Sequence, residues 1–203
     1  MAVLAPGQPP LILASKSRAR QDVLSGAGLV FDAMPAEIDE RAVENESGLT
    51  EPGAVAERLA RAKALSISAQ QPERYVIGAD QTLALGIRRF SKPAGRDQAA
   101  EQLAALAGQT HQLYSAVAVA RAGKVLFSDV AVAHMTMRSL ERRDIEAYLD
   151  TAGDAVMTSV GAYQLERLGV HLFARIDGDH FTVLGLPLLP LLAFLRQERI
   201  LAF

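Results

Sequence analysis

Two short apolar runs constrain this chain most. Leu11-Ile12-Leu13-Ala14 and Tyr75-Val76-Ile77-Gly78-Ala79 are of strand length and lack the alternation of a strand with one wet face, so both read as buried strands. Each runs directly into polar residues: Ser15-Lys16-Ser17 after the first, Asp80-Gln81 after the second. Arg18 to Ala27 then reads as a helix ending at Gly28, and Leu29 to Met34 as a strand stopped by Pro35. The acidic segment Asp39 to Gly48 reads as a surface loop. Thr50 is the expected N-cap of a long helix reaching about Ala69, with Glu51 and Pro52 in its first turn and an apolar stripe of Val55, Leu59, Ala62 and Ser66.

Past Ala79, Thr82 to Leu85 continues extended and Gly86 to Arg89 turns the chain. Asp97 to Ala107 is a helix closed by Gly108. His111 to Ala120 and Lys124 to Met137 pair across Arg121-Ala122-Gly123 as a hairpin. Ser139 caps a helix over Leu140 to Leu149. His171 to Ile176 and Phe181 to Leu184 are expected to form a last hairpin across Asp177-Gly178-Asp179, and Leu186 to Arg196 a closing helix. Alternating strands and helices with hairpins mixed in predict an α/β protein with a mixed sheet.

Composition narrows what such a fold is for. The chain has 203 residues, enough to bury roughly 70% of its unfolded surface without a disulfide or structural metal. Its 21 basic and 23 acidic residues give no general attraction to nucleic acid or an anionic membrane, so any positive site must be local. It has no cysteine, which excludes a thiolate nucleophile and a zinc–thiolate centre and fits a reducing cytoplasm. Met1 to Pro10 lacks the basic start of a signal peptide. Thr182 to Leu195, the most apolar stretch, is too short to span a bilayer and is interrupted by Gly185, Pro187 and Pro190. The four histidines lack metal-ligand spacing.

Six places carry candidate chemistry, and each has a plainer reading. Ser15-Lys16-Ser17 opens a helix, where hydroxyls, unpaired N–H groups and the nearby Arg18 and Arg20 suit a phosphate; without the glycine spacing of a P-loop, the local pattern favours an ordinary N-cap with solvated cations. Asp80 ends a core strand, where α/β proteins place ligands, and suits a divalent cation or the activation of water; it also suits a turn cap. Lys63 sits at the edge of a helix stripe and Lys92 in Ser91-Lys92-Pro93; either can bind an anion or snorkel. Glu37 and Asp39-Glu40 offer a second carboxylate or a solvated loop. Gly161-Ala162-Tyr163-Gln164-Leu165-Glu166 places one acid among apolar residues. Leu184-Gly185-Leu186-Pro187 reads as architecture.

Their order decides among these readings. Leu13-Ala14-Ser15-Lys16-Ser17, Arg20 and Leu24 are followed by Asp39-Glu40, Arg58-Leu59-Ala60 with Lys63-Ala64, and Gly78-Ala79-Asp80. Lys92-Pro93, Gly108-Gln109-Thr110-His111, Gly161-Ala162-Tyr163 and Gly185-Leu186-Pro187 complete the series. From about Leu11 to Arg196 it resembles the Maf family of nucleotide pyrophosphatases, also called septum formation inhibitor proteins. The resemblance implies one domain over residues 1–203 with a core of about 11–196. Its elongated mixed sheet would be flanked by helices, in two lobes with a nucleotide cleft between them. It implies hydrolysis of a nucleoside triphosphate between the α and β phosphates, with Mg²⁺ or Mn²⁺. By resemblance Asp80 is the catalytic acid, acting as general base and holding the metal with Glu40, and Ser15, Arg20, Lys63 and Lys92 bind phosphate. A small-molecule nucleotide is the implied partner, with no stable nucleic acid, no membrane and a possible homodimer, in the cytoplasm.

Base selection follows from three positions. Members that prefer dTTP and UTP resemble one another in having Arg, Thr and Gln there. Those acting on 7-methyl-GTP have a bulky aromatic, Gln and Glu. This chain has Ala19, Gln81 and Glu166, two of the three matching the second group. A carboxylate accepts from the N1–H and 2-amino edge of guanine and favours a cationic methylated ring. The expected substrate is therefore 7-methyl-GTP or a similar modified nucleotide. The alternatives are a dTTP/UTP pyrophosphatase and a nucleotide-binding regulator of division with little catalysis. The chain departs from the family at Arg18-Ala19, at Ser91 and at Thr158-Ser159. If, as the resemblance implies, the aromatic at that position stacks on the base, Ala19 removes a contact worth about 1–3 kcal/mol by analogy with aromatic stacking in nucleic-acid sites.

Overall fold

The computed structural model describes residues 3–203. Three strands and three helices open the chain: β1 (Leu11–Leu13), α1 (Arg18–Gly26), β2 (Phe31–Ala33), α2 (Glu40–Ser47), α3 (Pro52–Ser68) and β3 (Val76–Leu85). β4 (Arg88–Phe90), α4 (Arg96–Leu106), β5 (Thr110–Arg121), β6 (Lys124–Met137) and α5 (Arg142–Ala152) follow. Three short 3₁₀ turns lead to β7 (Phe173–Asp177), α6 (His180–Val183) and α7 (Leu188–Gln197). The sheet order is β2-β1-β3-β5-β6-β7, with β4 paired to β3. β1 pairs in parallel with both β2 and β3, whereas β4 on β3 and β7 on β6 are antiparallel. The α/β class with a mixed sheet is as the sequence predicts.

The chain divides into two compact units. One comprises the residues up to Gln81, Tyr114–Ala131 and His180–Phe203; the other comprises Thr82–Leu113 and Val132–Asp179. In the first, period-two alternation splits the strands between two helical layers. Leu11, Leu13, Ile77, Ala79, Val117 and Val119 pack with Leu24 of α1 and Leu191 and Leu195 of α7. On the opposite face, Ala116, Ala118 and Ala120 of β5 meet Ala56, Ala60 and Ala64 of α3. Ile12, Ala14 and Val76 meet Ile67 of the same helix. With both faces covered, β1 and the start of β3 need apolar residues at every position, hence the uninterrupted runs.

The small residues bring α3 close to the sheet, and Gly78 is where they touch. A Cβ there would collide with the Ala60 carbonyl and lie 2.7 Å from the Ala64 nitrogen. The second unit has its own core, with Leu83, Leu103, Leu106, Leu113, Met135 and Leu149 buried. The β5–β6 turn places Ala122 and Gly123 at φ 48° and 71°, the left-handed pair that a two-residue hairpin needs.

Several local expectations are corrected. Asp39 to Gly48 is not a loop but helix α2: the Asp39 side chain accepts from the Ala42 N–H, and Gly48 ends the helix at φ 64°. The helix buries none of its residues, so the sequence lacks the apolar stripe that would reveal it. The cap of α3 is Glu51 rather than Thr50, its carboxylate accepting from the Gly53 and Ala54 N–H groups. The buried face of α3 runs through Val55, Ala56, Leu59, Ala60, Lys63, Ala64 and Ile67, whereas Ala62 and Ser66 are only half-buried. Glu141, not Ser139, caps α5, in a reciprocal pair with Asp144. Arg88 and Arg89 belong to a strand, not a turn. The last hairpin does not form: β7 pairs with β6, and Phe181 to Val183 lie in the helical turn α6. A short apolar run does not distinguish a strand from a buried helical turn by periodicity.

Candidate functional site

The candidate residues cluster at the middle of β3, because the strand does not end at Asp80 as the sequence suggested but runs on through Gln81 to Leu85. Alternation along the strand turns Asp80, like Gly78, toward α3, and turns Gln81 to the other face. Lys63 sits on the face of α3 that Gly78 admits to the sheet. Its ammonium lies 2.6 Å from Asp80 Oδ1 and 2.7 Å from Glu40 Oε1. Lys63 and Asp80 are buried, at 9% and 8% exposure, while the Glu40 side chain is 54% exposed in the first turn of α2. Glu37, the other acid considered, is exposed ahead of that helix.

Arg20 closes the site from α1. Its Nε donates to the Gly185 carbonyl at 2.8 Å, and one terminal nitrogen donates to the Ala79 carbonyl at 2.8 Å and the Ser15 hydroxyl at 3.3 Å. Gly185 stands at φ 87°, and a Cβ there would crowd the Arg20 guanidinium at 3.3 Å. The Gly185-Leu186-Pro187 motif thus holds a cation in place. Ser15 is buried and also accepts from the Ser17 N–H, and the Ser17 side chain caps α1. Arg18 turns outward and pairs with Asp22 at 3.0 Å. It therefore stands on the solvated side, as the plainer reading of this motif had it.

Burial sets the electrostatics. It pushes the Asp80 carboxyl up from its ordinary range, against the pull of Lys63 and Arg20, and Glu40 adds to the rise. The same burial draws the Arg20 guanidinium down, opposed by Asp80 and Glu40. A carboxylate of raised basicity beside fixed cations suits proton acceptance at neutral pH.

Gln81 is oriented by its surroundings. Its amide nitrogen faces three acceptors: Ser115 Oγ at 2.9 Å, the Val183 carbonyl at 3.1 Å and the Thr182 carbonyl at 3.2 Å. Ser115 gives its own proton to the Thr182 carbonyl at 2.7 Å, so it can only accept from Gln81. The amide cannot flip without facing oxygen with oxygen. Gln81 therefore offers a ligand an acceptor oxygen. Ser115 and the helical turn α6 were missed from the sequence; Ser115 sits within an apolar strand, the one available signal.

The first unit brings together Ser15, Arg20, Glu40, Lys63, Asp80 and Gln81, with Ala19 half-buried in the first turn of α1. Lys92 and Glu166 belong to the second unit. Lys92 is exposed beside the buried Pro93. Glu166 is exposed and lines a cavity of about 500 Å³ with Tyr148, Gln164, Arg167 and His171.

Among the described residues, no group of three or more Asp, Glu or His side chains converges as a metal cage. Two carboxylates do converge, on the Lys63 ammonium. Such a donor set fits a hard dication that takes its other ligands from water and phosphate, as Mg²⁺ does. No helix among the described residues is long and apolar enough to cross a membrane.

The sequence profile described as Maf-like protein matches residues 10–198. The chain belongs to the Maf family. A relative from Rhodopseudomonas palustris (strain ATCC BAA-98 / CGA009), named nucleoside triphosphate pyrophosphatase, is 62% identical over 196 residues, covering 97% of each chain. A Bradyrhizobium diazoefficiens protein of the same name shares the same identity and coverage. A Brucella abortus protein named 7-methyl-GTP pyrophosphatase is 53% identical over 192 residues, covering 93% of this chain and 96% of its own. Maf membership, expected from the order of motifs, therefore holds across nearly the whole chain. The narrower name belongs to a relative at lower identity than those carrying the general one.

Proposed function

We propose that this chain hydrolyses the α–β anhydride of a nucleoside triphosphate, giving a monophosphate and pyrophosphate, and that its substrate is 7-methyl-GTP or a similarly modified purine nucleotide. The observation that carries the reaction is the buried Asp80–Lys63 pair at 2.6 Å, with Arg20 fixed beside it. Within a family whose relatives are named pyrophosphatases, that cluster has the parts that anhydride hydrolysis needs. Phosphoryl transfer asks for positioning and charge neutralisation more than covalent chemistry.

Asp80 is assigned as the proton acceptor for the attacking water, through Oδ2, since Lys63 engages Oδ1. Lys63, Arg20 and Ser15 are assigned to the phosphates, with Lys92 as a further cation. Asp80 and Glu40 would hold a divalent metal, whose charge would neutralise the phosphates and the leaving pyrophosphate. The setting proposed is the cytoplasm.

Base choice is assigned to Gln81 and Glu166. Both present acceptors, which suits the N–H donors on the guanine edge, and the Glu166 charge favours a cationic methylated ring. Ala19 supplies no aromatic platform, so these acceptors must carry more of the selection. The test is pyrophosphate release from 7-methyl-GTP, GTP, UTP and dTTP with Mg²⁺, with Asp80→Asn as the blank. Selective release from 7-methyl-GTP is expected. Preference for UTP and dTTP would keep the reaction and discard the substrate. Tight binding without release would replace the enzyme by a nucleotide-binding protein.

A further inference from the structure

The segment before Glu166 is strained and tightly held. Gly161 and Ala162 both have positive φ, at 77° and 60°, and Ala162 is fully buried. A non-glycine residue persists in that conformation only where its surroundings enforce it, and such positions cluster at ligand clamps. Here the enforcement is visible. The Tyr148 hydroxyl donates to the Ala162 carbonyl at 3.3 Å. A Cβ at Gly161 would lie 2.6 Å from Leu83 Cδ1 and 2.9 Å from the Tyr163 ring. The Gln164 amide donates to Thr158 Oγ1 at 2.8 Å. A Cβ at Gly169 would collide with the Gln164 carbonyl.

The anchor is a buried polar pair. Tyr163 Oη lies 2.7 Å from His111 Nε2, and the Tyr163 ring stands edge-on to Phe173 at 4.8 Å. His111 is 0% exposed, and its Nδ1 has no hydrogen-bond partner. An apolar side chain would spare the core that orphaned atom, so the imidazole costs stability there. What it supplies is a partner for the Tyr163 hydroxyl. Three residues beyond Tyr163, Glu166 lines the cavity that Tyr148 also lines.

We propose that His111 and Tyr163, together with Tyr148, are positioning residues that fix Glu166 at this cavity, and that they act on nucleotide selectivity rather than on turnover. The inference rests on the reading of Glu166 as a base-selecting group. Removing one hydroxyl loosens the segment without emptying the core, so the effect belongs in KM for the selected nucleotide and is lost once Glu166 is gone.

Two measurements test it. In steady-state kinetics, Tyr163→Phe should raise KM for the preferred nucleotide about tenfold with kcat within about twofold, and add less than about twofold in a Glu166→Gln background. Equal effects in both backgrounds, an unchanged KM, or a fall in kcat alone would overturn the proposal. Hydrogen exchange on the nucleotide-free protein reads position without activity. Tyr163→Phe and Tyr148→Phe should each speed exchange over residues 159–168 and leave 103–106 and 135–137 protected. A global rise, or none, overturns positioning. If the wild type prefers another nucleotide, the same cycle is run on that one. If it releases pyrophosphate from none, the function reading falls and takes the selectivity half with it, while exchange still decides the positioning.

Discussion

Lys63 and Asp80, 17 residues apart in sequence, meet at 2.6 Å because Gly78 lets helix α3 lie directly on strand β3. The pair is nearly closed to solvent, and Glu40 is the more exposed third member. Breaking it from one side differs from breaking it from the other, because one residue is the assigned base and the other the local cation.

Asp80→Asn keeps the size of the side chain and an acceptor for Lys63. It should lower kcat for pyrophosphate release by about 10²–10⁴, the range of one general base. Melting should move by only a few degrees, and nucleotide binding should persist. Turnover at the wild-type rate would remove Asp80 from the reaction.

Lys63→Met leaves the Asp80 and Glu40 carboxylates without the cation between them. In the absence of nucleotide, calorimetric titration with Mn²⁺ should show binding tighter by about tenfold, because a positive charge no longer stands where the ion would sit. Turnover should fall at the same time. Weaker Mn²⁺ binding would mean that the lysine organises the carboxylates for the ion rather than holding its place.

Gly78→Ala forces a methyl group into the α3 backbone. Overpacking of this kind costs about 1–3 kcal/mol, and moving α3 also moves Lys63 off Asp80, so activity should fall with stability. Gly26→Ala is the control: a Cβ there meets nothing, and in a helix the exchange is neutral or stabilising by about 0.5–1 kcal/mol. Parallel urea melts and rates separate the two. Equal behaviour of the variants would remove the close approach as the reason for glycine at 78.

Burial pulls the His111 imidazole from 6.5 to about 4. The folded chain then binds fewer protons than the unfolded chain between these values, so stability rises with pH across that window. It is fully present above pH 6.5 and is lost as pH falls toward 4. With His111 fully buried, the span is worth about 3 kcal/mol. Urea unfolding at a series of pH values should show the slope, and His111→Gln should flatten it. An unchanged slope in the variant would assign the acid loss to other groups.

How much was legible can be judged from single residues. The apolar runs that became β1 and β3 were plain because both of their faces are buried, and that condition writes itself into every position. Helix α2 was not legible, because none of its residues is fully buried and its only apolar ones, the half-buried Ala42 and Val43, are too few to make a stripe; its capping Asp39 and terminal Gly48 are common in loops as well. Helical turn α6 was misread because its four residues hold too little periodicity. Asp80, Lys63, Arg20 and Ser15 were visible through the order of motifs. Tyr148 was not, since one tyrosine on an amphipathic helix has many readings.

The sequence by itself determined the alternation of elements, the family and the kinds of side chain available for phosphate chemistry, because these depend on local pattern and linear order. Only the tertiary structure decided which carboxylate Lys63 meets, which way Gln81 turns its amide, and that His111 spends its one hydrogen bond on Tyr163. Those outcomes depend on how closely backbones approach and on which buried donors find acceptors. Residues far apart in the chain settle both, once packing has excluded water from the alternatives.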